Sequence, residues 1–267
     1  MVRPFIPLPD RPPDFPDGYK RWLKDEHGVE PDQLPNHYRA VTQEIHTALS
    51  KCDFWCALTT NLREFNDKYE LAHNYPLFTQ SDPSILVKPF DSFLLKTYRK
   101  NVLLNTFFPN KPRDGWVLPP DWFSSVNDIA RTTLVVKYLD GVEFLISEMY
   151  AIASGLGVEL KHSLEASPEG YYAAHVYYST TISIPRINWD TERRKISFEI
   201  QITTQIKDVI KKLLHSYYKK RRTAPKSRTE NWQWDYRSEE FAVSYLGHIL
   251  HYVDGMIIEI RDREMES

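Results

Sequence analysis

The sequence predicts an α+β fold: a mixed β-sheet of about five strands flanked by helices, with helical additions at both ends. Two patterns carry this. Between residues 84 and 204, period-two alternation and β-rich runs are interleaved with stretches of helical period. On either side of that span, apolar residues recur three and four positions apart, as on one face of a helix. A chain of 267 residues is long enough to bury a large core as one domain with helical appendages.

Taken in order, residues 1–36 hold many prolines, Pro12-Pro13 among them, and predict an extended, irregular arm. Residues 37–75 repeat Val41, Ile45, Leu49, Cys52 and Cys56 at helical spacing. Strands are expected near 84–88, 129–138, 157–165, 171–184 and 194–203, and helices near 92–104, 141–154 and 205–221. Residues 223–236 form a polar loop with Trp232, Trp234 and Tyr236. A last helix, about 238–263, is expected to turn Phe241, Tyr245, Ile249, Tyr252 and Ile257 inward. The chain thus divides into an arm with a helical region (1–80), a core (81–222), and a loop with a helix packed on the core (223–267).

The net charge is −2, so no global field draws nucleic acid, and any such contact needs a local patch. The richest patch runs from Lys211 to Arg228 and contains Lys219, Lys220, Arg221 and Arg222. The two cysteines, Cys52 and Cys56, lack a nearby His pair and read as core thiols rather than a zinc site. That usage fits a reduced, cytoplasmic setting. No apolar run reaches the roughly 18 residues a membrane span requires, so no membrane partner is expected. The Pro-rich N-terminus lacks the apolar stretch of a secretory signal.

The chemistry begins at residues 198–204, Phe-Glu-Ile-Gln-Ile-Thr-Thr. Phe198, Ile200 and Ile202 take one face of a strand; Glu199, Gln201 and Thr203 take the other. Strands are depleted in Glu, so a mid-strand carboxylate suggests a rigid floor for a metal or a reacting hydroxyl. The next helix carries apolar Ile206, Val209, Ile210, Leu213 and Tyr217, and on another face Lys207, Lys211, His215 and Lys219. Two further segments match this polar face. In 88–100, a helix starting near Asp91 or Ser92 puts Ser92, Lys96 and Lys100 on one side, with Arg99 beside them. Such converging cations call for an anion, and a triphosphate would serve. In 127–139, Asp128 stands at the entrance of a β-rich run, where a hard oxygen ligand suits Mg²⁺.

Four blocks in this order resemble the synthetase domain of the RelA/SpoT family over residues 84–222, about half the chain. They are Lys88…Ser92…Lys96…Arg99, then Asp128-Ile129-Ala130, then Gly170-Tyr171-Tyr172-Ala173-Ala174-His175, then Glu199 to Thr204 with His215 on the following helix. The resemblance implies the nucleotidyltransferase-like fold of that domain and the transfer of pyrophosphate from ATP to a nucleotide 3′-hydroxyl. It implies that Lys88, Ser92, Lys96 and Arg99 cradle ATP phosphates. Asp128 and Glu199 are then the catalytic carboxylates that hold Mg²⁺, and Glu199 is placed to take the hydroxyl proton. Tyr171, His175 and Gln201 fall on the acceptor side. There Tyr171 is expected to stack on a base, an interaction of about 1–3 kcal/mol. His215 is expected to tie helix to strand or to touch phosphate. The chain contains no His-Asp dipeptide, so the family's hydrolase domain is not expected; it reads as a stand-alone small alarmone synthetase.

The departures are concentrated near the acceptor. Leu86, Arg131, Thr133, Tyr172-Ala173, Thr203 and Asp208 stand where the family has Arg, Gly, Arg, Arg-Ser, Arg and Asn. Lost arginines weigh against GDP or GTP as acceptor. With the basic run at Lys219–Arg222, they favour the tRNA 3′ CCA end, as in the toxic members of the family, for which a neutralising antitoxin is an expected partner. Synthesis of (p)ppGpp or an adenine analogue is the alternative, and an inactive binding module is a third reading that the intact Asp128 and Glu199 oppose.

Overall fold

The computed structural model describes residues 13–79, 82–214 and 232–266. Its frame is a five-stranded mixed sheet in the order β1-β2-β5-β4-β3. The strands are β1 (Leu86–Val87), β2 (Ala130–Val136), β3 (Leu160–Ala166), β4 (Tyr172–Pro185) and β5 (Thr191–Thr204). Strands β2 and β5 run parallel; the other three pairings are antiparallel. The strand with the unusual polar face, β5, is therefore the middle strand and not an edge. Its ladder groups are satisfied on both sides, so Glu199 and Gln201 stand on the stiffest part of the sheet.

Register makes one face polar throughout. Arg131 and Thr133 of β2 lie opposite Glu199 and Gln201, which lie opposite Tyr177 and His175 of β4. Ser163 of β3 continues the row beyond His175. The alternate residues form the core face: Ala130, Leu134, Val136, Ala174, Val176, Tyr178, Phe198, Ile200 and Ile202 are all buried. Helices α2 (Leu34–Ser50), α3 (Asp53–His73) and α6 (Asp140–Leu156) supply the apolar side chains that cover this face. Phe54 stacks on Tyr178 at 4.9 Å, and Trp55 meets Phe198 edge-on at 5.5 Å.

The N-terminal stretch corrects the sequence reading. Instead of an irregular arm to residue 36, helix α1 covers Asp17–His27 and ends on Gly28 in the left-handed conformation (φ 63°). The first run of prolines ends at Pro16; after it Tyr19, Trp22 and Leu23 recur at helical spacing and are buried. They pack against Leu94 and Tyr98 on the back of helix α4 (Phe90–Tyr98) and against Val102 just beyond it. Each such side chain contributes about 1.5–3 kcal/mol on burial. The expected helix 92–104 is also interrupted: α4 gives way to a π-helical turn at Arg99–Leu103. There the buried Asn101 amide donates to Tyr19 Oη (2.9 Å) and to the Val117 carbonyl (3.0 Å), an inserted polar hub of the kind that widens a helix.

Short helix α5 (Trp122–Ser125) precedes β2, and α7 (Gln205–Leu213) leaves β5 directly. None of its residues is buried, and Val209 and Leu213 are exposed, against the expected apolar seam. The last helix, α8 (Glu239–Glu266), is rotated from expectation. Tyr245, Ile249 and Tyr252 face outward, whereas Val243, Ser244, Asp254 and Arg261 are buried. The reason is charge. Arg261 donates to Asp140 Oδ2 (2.7 Å) and Tyr69 Oη (2.9 Å), and Asp254 accepts from Thr204 (2.7 Å) and pairs with Lys207 (3.1 Å). These groups fix the inward face, since breaking such a buried pair costs about 3–5 kcal/mol. Over Glu239–Glu264 the helix is long and apolar enough to cross a membrane by length and composition alone, at a mean hydropathy of 1.2, where none was expected. Cys52 is only partly buried and Cys56 is exposed, so the pair is not a core feature as predicted.

Candidate active site

The donor side is built where β1, α4 and the entry to β2 converge. Lys88 follows β1, and its amide donates to the Ile129 carbonyl at 2.8 Å, which ties it to the chain beside Asp128. Its ammonium reaches Asp128 Oδ2 at 2.8 Å. Lys96, two turns into α4, reaches Asp128 Oδ1 at 2.7 Å. One carboxylate is thus clamped by two ammonium groups, with only 14% of its side chain exposed. Burial works to raise the Asp128 pKa, but the two lysines outweigh it and hold the group below its ordinary value. Lys88 is pushed below the ordinary lysine value by its own burial, more than Asp128 restores, with Lys96 and Arg131 adding repulsion. Lys100 is lowered by burial and by Lys96, and donates to the Ser125 carbonyl at 2.9 Å. Ser92 is exposed on α4, and Arg99 begins the π-helical turn. Behind Lys88, the buried Tyr38 hydroxyl donates to the Lys88 carbonyl at 2.8 Å.

The sheet face carries the rest. Glu199 is 5% exposed, and the Gln201 amide donates to its Oε1 at 2.5 Å. Lys211 on α7 donates to Gln201 Oε1 at 3.2 Å. Arg131 pairs in register with Glu199 on one side, Tyr177 on the other. The Tyr177 phenol is raised by burial first, then by the charge of Glu199, with Asp128 contributing more weakly. Both carboxylates therefore act on one hydroxyl. His175 bridges Tyr171 Oη (Nε2, 3.2 Å) and Tyr177 Oη (Nδ1, 3.2 Å), and its Nδ1 also lies 3.4 Å from Glu165. The Tyr171 ring itself is 36% exposed.

Beyond this row lies a cavity of about 260 Å³ at the carboxyl ends of the two parallel strands, lined by Glu143, Glu165, Tyr172, Thr203, Lys207 and His251 among others. Ligands of sheets with parallel strands gather at such ends. The cavity wall is completed by α8. Tyr172 stacks on His251 at 3.8 Å and meets His248 Nδ1 at 2.9 Å. The β3–β4 turn touches α8 backbone to backbone: a Cβ on Gly170 would sit 2.2 Å from the Ser244 carbonyl, and one on Gly247 2.2 Å from the Gly170 carbonyl. Gly170 is also at φ 74°, so glycine is required there on two counts.

This architecture has known counterparts. The small alarmone synthetase 1 from Bacillus subtilis matches over 94% of this chain and 100% of its own, with a TM-score of 0.50 at 16% identity. The fold is that of a small alarmone synthetase. The same Bacillus subtilis enzyme bound to its product pppGpp aligns at a TM-score of 0.49, 16% identity, 87% of this chain and 96% of its own. A GTP pyrophosphokinase family protein from Streptococcus pneumoniae aligns at 0.48, 18% identity, 89% of this chain and 96% of its own. No protein-family model and no curated protein matches the sequence.

Within this synthetase fold, Lys88, Lys96 and Asp128 form one contact group, and Glu199, Gln201, His175 and Tyr171 occupy one continuous face. Arg131 and Lys211 were missed as site residues. Arg131 registers only as a broken motif and Lys211 as one cation in a stripe; strand register and the α7 start are what bring them in. His215 and the Lys219, Lys220, Arg221 and Arg222 patch lie outside the described residues. Among the described residues no group of three or more His, Cys, Asp or Glu is arranged to hold a metal ion. Asp128 and Glu199 are carboxylates of the kind that, one or two at a time, hold Mg²⁺ together with substrate phosphates.

Proposed function

We propose that the protein is a pyrophosphokinase that moves pyrophosphate from ATP to a nucleotide 3′-hydroxyl. The observation that carries this reading is the Lys88–Asp128–Lys96 clamp beside a central strand bearing Glu199. Without substrate, Asp128 neutralises the two lysines. ATP phosphates would take over the ammonium groups and release the carboxylate. Asp128 and Glu199 would then hold Mg²⁺, which supplies charge neutralisation across the phosphates. Arg99 and Ser92, on the same helix and its continuation, complete the donor side.

The acceptor 3′-oxygen forms a bond to the β-phosphorus of ATP. The bond from that phosphorus to the α,β-bridging oxygen breaks, and AMP leaves with the electron pair. Glu199 takes the hydroxyl proton. Most of the rate gain comes from positioning and charge, as in phosphoryl transfer generally. Tyr171 offers its ring to the acceptor base, and His175 holds the Tyr171 hydroxyl in place.

For the acceptor we favour the tRNA 3′ end over GDP or GTP. Around the cavity the charges are Glu143, Glu165 and Lys207, and Lys207 is already paired with the buried Asp254. Among the described residues no surplus positive charge greets a 5′-polyphosphate there, and Thr203 and Ala173 supply none. The fold likeness supports the second reading, a free guanine or adenine nucleotide. Incubation with γ-labelled ATP and GDP, GTP, AMP or total tRNA separates them: label is expected in tRNA. Label confined to a free nucleotide replaces the tRNA reading, and label in no acceptor removes pyrophosphate transfer.

A further inference from the structure

We infer that Lys211 is a positioning residue for Glu199, acting through the amide of Gln201; this rests on the pyrophosphate-transfer reading above. Glu199 and Gln201 are two apart on the central strand and share its polar face. An amide side chain has a donor end and an acceptor end and can present either to its neighbour. An ammonium group can only donate. Lys211 Nζ lies 3.2 Å from Gln201 Oε1, so the carbonyl end is turned toward α7 and the NH₂ end is forced onto Glu199 Oε1 at 2.5 Å. The opposite orientation would set NH₂ against ammonium and carbonyl oxygen against carboxylate, two repulsions in place of two hydrogen bonds.

The consequence lies in the geometry of the base. With one oxygen held by Gln201, the Glu199 carboxylate has a fixed plane, and its second oxygen has a fixed direction for the incoming hydroxyl. Lys211 reaches this point because α7 starts at Gln205, with no loop after β5, so its second turn passes back over the end of the strand. Being exposed, its ammonium loses little hydration, and such contacts contribute little to stability. A change at Lys211 should therefore be read in turnover and not in folding.

The test uses the full chain in five forms: parent, Lys211→Met, Lys211→Arg, Gln201→Met, and Lys211→Met combined with Gln201→Met. Lys211→Met is expected to lower kcat about tenfold, in the range seen when a partner of a reacting group is removed, with KM for ATP and the melting temperature unchanged. Lys211→Arg, which keeps a donor, should restore most of the loss. In the Gln201→Met background the Lys211→Met change should cost nothing further, because the route between the two is already cut. Three results overturn the inference alone: an active parent whose Lys211→Met form turns over equally fast, a full additional loss in the Gln201→Met background, or a rise in acceptor KM at constant kcat. The last would make Lys211 a direct acceptor contact. A parent chain that labels no acceptor overturns the proposed function, and the role of Lys211 falls with it.

Discussion

At the scale of single residues, the buried charges decide what can be measured. Glu199→Gln and Asp128→Asn remove a carboxylate from a charge-stabilised transition state and should cost several kcal/mol of it, a loss well over tenfold, with circular dichroism unchanged. A Glu199→Gln chain that keeps more than a tenth of parental activity would show that Glu199 is not the base. Lys88 gives a pH prediction. Burial lowers its pKa from 10.5, so its ammonium is lost at a lower pH than an exposed lysine's. ATP affinity should fall as pH rises through that lowered value, and Lys88→Arg should move the decline upward, because a guanidinium stays charged. Calorimetry with a non-hydrolysable ATP analogue from pH 7 to 10 checks this; a flat profile contradicts it. Folding runs in the opposite sense. Between the lowered value and 10.5 the unfolded chain binds the extra proton, so the contribution of Lys88 to stability rises with pH in that window. The residue types at these positions were legible in the sequence, since a mid-strand Glu or a pair of helix lysines is conspicuous. Arg131 and Lys211 were not, because their importance comes from a strand pairing and a helix start that join residues far apart in the chain.

At the scale of elements, the contact between the β3–β4 turn and α8 is the tightest joint around the site. Gly247→Ala puts a methyl group 2.2 Å from the Gly170 carbonyl. Neither partner is a flexible side-chain tip, so the turn or the helix must move. The expected loss is about 1–3 kcal/mol, read as a fall in melting temperature of about 2–4 °C per kcal/mol, together with a raised acceptor KM. An unchanged melt would mean that the joint is loose. Strand positions were read from the sequence to within a few residues, because period-two patterning is imposed by burial on one face. Two helices were not. The first was hidden by the prolines just before it. The orientation of the last was misjudged because α8 has apolar residues on several sides, and its seat is chosen by Asp254 and Arg261, which a hydrophobicity pattern counts as outward.

At the scale of the whole molecule, the chain is slightly acidic, and its densest basic run in sequence is Lys219–Arg222. If tRNA is the acceptor, replacing Lys219, Lys220, Arg221 and Arg222 by Ala should weaken tRNA binding and flatten its dependence on salt, because fewer counterions are released. ATP affinity should not change. A quadruple variant that labels tRNA as well as its parent would refute the role of the patch. The fold class was legible because four short blocks in order constrain one topology, whereas the acceptor was not, because it depends on which charges are already neutralised by neighbours such as Asp254. The same Asp254 and its neighbours give the protein a built-in order of completion. Lys88, Asp128 and Glu199 all leave the ribosome before the helix that seats Gly170 and pairs with Lys207. During synthesis the donor half can assemble first, while the turn that presents Tyr171 waits for α8. On the proposed function, a nascent chain would hold ATP before it could engage an acceptor, and transfer would await the docking of α8.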